Sequence, residues 1–237
     1  SFELLLQSDT VEALHGAAMT IARNFGFERF LYGVQVNNSL TQPYQFILNG
    51  YPEAWRNHYI EQQYLEVDPT FHHCITKKQT TPCLWEDRAP RRSREARMWG
   101  ESREFGLLCG ASFAVHGGHG ESAMLSLASS QDRSSVIGEG LHVIGKAQLL
   151  ACYLHEAVQR TVLSKGPLPL TRMELTGRER ECLLWASEGK TSGEISDILN
   201  ISERTVIFHL HNAARKIGAT NRQHAVSRAI SMGLIAP

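Results

Sequence analysis

In the stretch NGYPEAWRNHYIEQQYLEVDPT, Asn49 to Thr70, two aromatic residues and an aspartate fall at spacings that could bind a small molecule. Pro52 suits the first turn of a helix, because the N–H it lacks is one that an opening turn leaves without a partner. Trp55 and Tyr59 are four residues apart and so project from the same side of that helix. Asp68 precedes Pro69, whose ring drives the aspartate backbone out of the α region. An indole offers one donor, a phenol a donor and an acceptor, and an ionised carboxylate only acceptors. Together these match a neutral ligand bearing carbonyls and an N–H, held against an apolar aromatic wall. The same residues would equally serve as an aromatic core cluster with a turn aspartate, and spacing alone leaves both readings open.

A second chemistry is suggested by SERTVIFHLHNAARKIGA, Ser202 to Ala219. On a 3.6-residue period Val206, Leu210, Ala213 and Ile217 form an inward stripe. Arg204, Ile207, Phe208, His211, Asn212 and Arg215 then lie on or near the opposite face. That mixture suits a DNA major groove: Arg215 and His211 can meet phosphates or base edges, and Ile207 or Phe208 can touch thymine methyls. A solvated helix with stray apolar residues, or a helix that binds a protein partner, is the alternative.

Other chemistries find little support. His72, His73 and Cys74 are metal-capable, but adjacent side chains diverge and no partner spacing completes a site. The run from Glu86 to Glu104 carries six arginines and five acids, the pattern of a solvated, ion-paired helix. No G-x-S-x-G turn or glycine-rich phosphate loop is present, so no enzyme activity is expected. Five cysteines are scattered without a C-x-x-C pair, which argues against a disulfide framework and for a reducing compartment. The most apolar stretch, Leu141 to Val158, is broken by His142, Lys146, His155 and Glu156, so no membrane span is expected. The chain opens without a signal-peptide pattern, and a cytoplasmic location is expected.

The elements that must position these residues divide at SKGPLPLTR, Ser164 to Arg172, where a glycine and two prolines favour an extended linker. The expected division is residues 1–163, a linker at 164–173, and residues 174–237. The whole chain balances 24 basic against 24 acidic residues. Counted to Thr171 there are 15 basic and 17 acidic residues, whereas from Arg172 there are 9 and 7, so positive charge collects at the C-terminal end. Thr176 with Glu179 and Thr191 with Glu194 fit the capping box, and Ser202 and Asn221 are good N-caps. Four short helices follow, two of them, Ser192 to Leu199 and Glu203 to Ile217, separated by a tight turn.

Ahead of the linker, Asp9 to Phe25 puts Val11, Leu14, Ala18, Ile21 and Phe25 on one helical face and closes on Gly26. FLYGVQV, QFILN, LLCGASFAV and SAMLSLAS read as strands, several alternating with period two. A long helix from about Val136 to Thr161 would turn Ile137, Leu141, Ile144, Ala151, Leu154 and Val158 inward. Helices at both ends of a mostly antiparallel sheet make the class α+β.

At GYPEAW…HY…VDPT and LTGRERECLLWASEGKTSGEISDILNISERTVIFH the sequence resembles the LuxR family of acyl-homoserine-lactone quorum-sensing regulators. The likeness rests on Trp55, Tyr59, Asp68, Pro69, Trp85 and Gly110 before the linker and on Glu179, Leu183 and Gly189 after it. It implies an N-terminal α-β-α sandwich around a five-stranded antiparallel sheet, then an all-α four-helix helix-turn-helix domain. It implies a homodimer on an inverted-repeat site in double-stranded promoter DNA, with RNA polymerase as a further partner, an acyl-homoserine lactone as ligand and no cofactor. By position, Trp55 would donate to the lactone carbonyl, Asp68 would accept the amide N–H, and Tyr51 with Ser126 would donate to the amide carbonyl. Tyr59, Thr70, Trp85 and Gly110 complete the implied ligand site. Thr191, Arg204, Thr205, Ile207, Phe208, His211, Asn212 and Arg215 make up the implied DNA-contacting set. Ala114 and Ile207 depart from the family, standing where many members carry a proline and a polar base-reading residue. Two alternatives are a non-lactone effector in the same architecture, and a lactone hydrolase in which His116, Asp68 and Ser126 approach one another.

Overall fold

The computed structural model describes residues 2–36, 43–85, 92–118, 120–131, 141–165 and 175–236. The chain forms two compact units: Ser1–Gln35, Gln45–Gly117 and Ser122–Lys165 make up most of the sequence before the linker, and Gly166–Pro237 groups with the short stretches Val36–Tyr44 and Gly118–Glu121. Most of the expected linker, from residue 166 on, lies outside the described residues.

The first unit begins with α1 (Glu3–Leu6) and α2 (Val11–Asn24), which lead into β1 (Arg29–Val36) and β2 (Tyr44–Asn49). Then come α3 (Glu53–Glu61), a 3-10 turn at Tyr64–Glu66, and the single turn α4 (Pro69–Phe71), which continues as a π-wound turn over His72–Thr76. β3 (Cys83–Leu84), α5 (Arg94–Glu104), β4 (Cys109–His116) and β5 (Glu121–Ser129) follow. The unit closes with α6 (Leu141–Val158) and a π-wound end at Gln159–Leu163. The five strands form one antiparallel sheet in the order β2-β1-β5-β4-β3.

β4 and β5 pair with Gly110 opposite Ala128 and Ser112 opposite Ser126. Every residue of β5 and the first six of β4 are buried, so the sheet centre is covered on both faces. On one face Tyr32 of β1 brings its hydroxyl to 2.7 Å from Nδ1 of His155 on α6. On the other, Trp55, Tyr64, Met98, Trp99 and Leu107 pack with Ala128 of β5. This is the expected α-β-α sandwich.

Two helical faces differ from the periodic reading. Val11 is exposed, because it sits in the first turn of α2 at the rim of the layer. On α6 the expected Ala151, Leu154 and Val158 are buried, but Ile144 is only half-buried, while Val143, Ala147 and Leu150 take the core. That helix packs on β4 and also on α1 and α2, so its buried face is wider than a single stripe. Ile137 lies outside the described residues.

The second unit holds α7 (Gly177–Ser187), α8 (Ser192–Leu199), α9 (Glu203–Lys216) and α10 (Arg222–Ser231). Each start is the one its sequence encodes. Thr176 with Glu179 and Thr191 with Glu194 form complete capping boxes. The side chains of Ser202 and Asn221 accept the N–H of Thr205 and His224. Each such cap is worth about 0.5–2 kcal/mol. Asn200, at φ 51°, makes the left-handed turn between α8 and α9, a conformation that asparagine tolerates better than most residues. Val206, Leu210, Ala213 and Ile217 enter the core with Cys182, Leu183, Ile195, Ala225 and Ala229, as the α9 stripe requires.

Candidate functional site

Between the sheet and the α3–α5 layer of the first unit lies a cavity of about 510 Å³. Its floor is strand: the half-buried positions of β1 alternate with core positions, and Leu31, Gly33 and Gln35 line the space together with Met124 and Ser126 of β5. A Cβ added at Gly33 would meet nothing within 4 Å, because that residue faces the void. Trp55, Arg56, Tyr59 and Ile60 come from α3, and Met98, Trp99 and Ser102 from α5. Asp68, Thr70 and Phe71 enter from the turn between them.

Asp68 is fixed by the role its sequence context implies. It caps α4, with Oδ1 accepting the backbone N–H of Thr70 at 2.8 Å and the Thr70 hydroxyl at 2.7 Å. Its other oxygen accepts the Tyr59 hydroxyl at 2.8 Å. The chain reversal that delivers it passes through Gln63 at φ 53° and is pinned by Arg94, whose guanidinium donates to the carbonyls of Gln62 and Gln63. Burial first, and the nearby Asp68 charge second, hold the Tyr59 phenol far above its ordinary pKa, so it remains a donor. Tyr51 is shifted the same way for the same two reasons.

Three donors around the cavity are unused. The buried Trp99 indole N–H makes no hydrogen bond among the described residues, and the buried Tyr51 hydroxyl has the Ser126 hydroxyl near it but outside hydrogen-bond geometry. Trp55 is 4% exposed, and its indole N–H has no protein partner among those residues. Ser126, by contrast, is held at 2.7 Å from the Ser112 hydroxyl, which in turn accepts the Trp85 indole N–H at 2.9 Å. Buried polar groups without partners are rare in folded proteins and mark a place where something else completes them.

Behind Trp55 stands a charged anchor. Its ring lies stacked 6.1 Å from that of Tyr64, whose hydroxyl donates to Glu101 at 2.5 Å. Arg97 donates to the other Glu101 oxygen at 2.6 Å, and His58 Nε2 lies 2.6 Å from the carboxylate. Burial opposes ionisation of Glu101, but these donors outweigh it and hold its pKa near 2. Trp55 is thereby braced from the side away from the cavity.

Of the eight ligand-site residues read from the sequence, seven line this one space: Tyr51, Trp55, Tyr59, Asp68, Thr70, Trp85 and Ser126. Gly110 does not. A Cβ there would stand 2.2 Å from the Leu127 carbonyl oxygen and 2.9 Å from the Trp85 ring, so its lack of a side chain lets Trp85 lie flat on the strand. It shapes the wall without facing the void. Arg56 and Trp99 also line the cavity, though no motif singled them out. The signal for Arg56 was its place beside Trp55, and burial lowers its pKa. His116 is not among the lining residues, so the triad with Asp68 and Ser126 is not assembled. His72 and His73 turn to the backbone carbonyls of Glu66 and Thr81, and no metal-holding group of three or more occurs among the described residues.

In the second unit the outer face of α9 presents Arg204, Ile207, Phe208, His211 and Arg215 to solvent, with Asn212 half-buried. Thr191 and Thr205 have their hydroxyls engaged, with Glu194 at 2.9 Å and Ser202 at 2.7 Å. α9 is fastened to α7 by Lys216, whose ammonium lies 2.7 Å from the Glu179 carboxylate.

Residues 10–158 match the family described as autoinducer binding domain, and residues 173–229 match that described as bacterial regulatory proteins, luxR family. The transcriptional activator protein AnoR of Acinetobacter nosocomialis is 34% identical over 94% of this chain and 92% of its own length. VanR of Vibrio anguillarum, likewise a transcriptional activator protein, is 38% identical over 90% of this chain and 86% of its own. Among solved structures, a complex of SdiA with octanoyl-rac-glycerol is 27% identical, covers 98% of this chain and 93% of that one, and gives a TM-score of 0.77. A crystal structure of Escherichia coli SdiA gives 0.78 at the same identity, over 98% and 95%. These relatives and both family matches describe regulators and not enzymes. The chain therefore belongs to the LuxR family of quorum-sensing transcriptional regulators, with an autoinducer-binding domain followed by a helix-turn-helix DNA-binding domain.

Proposed function

We propose that the autoinducer is an acyl-homoserine lactone and that the chain, as a homodimer, answers it by binding an inverted-repeat promoter site. The observation that carries this is one apolar cavity holding two unused donors, Trp55 and Tyr51, beside a carboxylate, Asp68. Trp55 would donate to the lactone carbonyl, Asp68 would accept the amide N–H, and Tyr51 with Ser126 would donate to the amide carbonyl. Tyr59, Thr70 and Trp85 would enclose the head group, and the acyl chain would complete the apolar core. Occupancy then stabilises the folded, dimer-competent state by an amount that rises with the logarithm of ligand concentration above Kd.

Dimerisation is supported by apolar side chains left on outer helix faces, Leu149 on α6 and Ile230 on α10. A twofold dimer reads a palindromic site by presenting one recognition helix to each half. Arg204 and Arg215 would meet phosphates, with Thr191, Thr205, Ile207, Phe208, His211 and Asn212 near the bases and backbone. The relatives' description as transcriptional activators supports RNA polymerase as the further partner. Action on DNA would require a cytoplasmic location; no described helix is long and apolar enough to cross a membrane.

One finding favours a second effector class: the similar SdiA was solved with octanoyl-rac-glycerol. An acyl-glycerol could use the same donors and give a hydroxyl to Asp68. The test is to express the chain with and without a panel of lactones of rising chain length. Soluble yield and affinity for a selected duplex should rise together with one of them. Mass spectrometry of the molecule that co-purifies from the native host should find that lactone; an acyl-glycerol, or no lactone response, would overturn the proposal.

A further inference from the structure

We infer that α9 reads its DNA half-site mainly through thymine methyl groups, with Ile207 as the principal contact and Phe208 beside it. This rests on the DNA-binding reading above and gives that face its sequence preference.

Ile207 is 53% exposed and Phe208 61%, so both apolar side chains stand clear of the α7–α10 core. They are neighbours on a stripe with Arg204 one turn before them and His211 one turn after, and Arg215 a further turn on. Arg204 and Arg215 are about 16 Å apart along the helix axis, enough to reach the two walls of a major groove about 12 Å wide. From Ile198 to the end of the chain there are five basic residues and one acid, Glu203; Lys216 is matched by Glu179, and Arg204, Arg215, Arg222 and Arg228 still leave a positive excess that suits a polyanion. A protein partner would find the apolar pair ringed by like charges, whereas a duplex offers phosphates at the ends of the stripe and base edges at its middle.

Hydrogen-bonding capacity at that middle is small. The Thr205 hydroxyl lies 2.7 Å from Ser202 within the N-cap. Asn212 gives its carbonyl oxygen to Arg215 at 3.2 Å, which removes its two-point pattern for adenine. His211 retains a single-point contact. With Arg204 and Arg215 committed to the phosphates at the ends of the stripe, no side chain between them offers the bidentate grip that specifies guanine or adenine, so apolar contact is the discriminating interaction left to the middle of the helix, and the thymine C5-methyl is the apolar group the major groove displays.

The full chain, expressed with N-octanoyl homoserine lactone in the medium, should be used to select duplexes from a random pool. The selected half-site should contain thymine at a fixed position, and replacing that thymine by deoxyuridine, which deletes only the methyl, should weaken binding about fourfold per half-site, equivalent to ~0.8 kcal/mol for one buried carbon. Ile207→Ala should bind the thymine and deoxyuridine duplexes alike. Ile207→Asn should shift the selected base at that position toward adenine. Equal affinity of the unaltered chain for the two duplexes would overturn the inference while leaving DNA binding standing. Failure to select any sequence, with any lactone, would strike the DNA reading itself and the inference with it. Normal selection by Ile207→Ala with loss of transcription only would assign the pair to a protein partner and also overturn it.

Discussion

The Tyr59 hydroxyl donates to Asp68 Oδ2 at 2.8 Å, and the same carboxylate caps α4 through Oδ1. One side chain thus serves both the fold and the cavity, and the two roles separate by substitution. Asparagine caps a helix as well as aspartate, so Asp68→Asn should leave thermal stability without ligand within about 1 kcal/mol. It loses the charged acceptor, so lactone affinity should fall by about 1.5–3 kcal/mol. Thermal melts and ligand titration on the same preparation check both halves.

Glu179 completes the α7 capping box and meets Lys216 of α9 at 2.7 Å, with its side chain only 5% exposed. Burial resists its ionisation, but Lys216 and the Thr176 amide prevail and its pKa is lowered. Glu179→Gln can keep the box and lose the ion pair, at about 1 kcal/mol; Glu179→Ala loses both, at about 2 kcal/mol. Urea unfolding followed by helix signal should rank the three proteins in that order.

Glu101 gives a pH dependence. Its folded pKa near 2 lies below the ordinary 4.5, so its contribution is present above about pH 4.5 and is lost as pH falls toward 2. Glu101→Gln should be less stable by about 1–2 kcal/mol near neutral pH, after allowance for solvent screening, and the gap should close in acid. Urea midpoints for both proteins across that range would reveal a constant gap if the network contributed nothing electrostatic.

Gly110→Ala should cost more than an ordinary overpacked core, upward of about 3 kcal/mol, because the new Cβ meets the Leu127 carbonyl at 2.2 Å, a backbone atom that cannot turn away. Soluble yield should collapse, whereas Gly33→Ala, where the Cβ meets open cavity, should preserve the fold. Comparing the two expression levels decides it.

What the sequence made legible follows the range of the signal. The four helix starts of the second unit were readable because a cap is settled within three residues, and so was the inward stripe of α9. Trp55, Tyr59 and Asp68 are close in sequence and could be read as one group, but only their family resemblance decided between core and cavity. Residues brought in by the sheet were harder: Leu31 and Gly33 of β1 line the cavity, yet nothing local distinguishes a strand face packed on helix from one facing a void. The breadth of the α6 core face escaped for the same reason, since it depends on how many layers the helix touches. Gly110 belongs to the family resemblance, but its work is steric, visible only once Trp85 lies against it.

The claim at the centre is that the Trp55 N–H bonds the head group of an acyl-homoserine lactone. Trp55→Phe keeps an aromatic ring against Tyr64 and Phe105 and deletes that donor. The most direct measurement is competition of a labelled lactone from the full chain and from this variant, at equal folded concentration. The expected result is affinity about tenfold weaker in the variant, the loss of one buried hydrogen bond. Equal affinity in the two proteins would contradict the account.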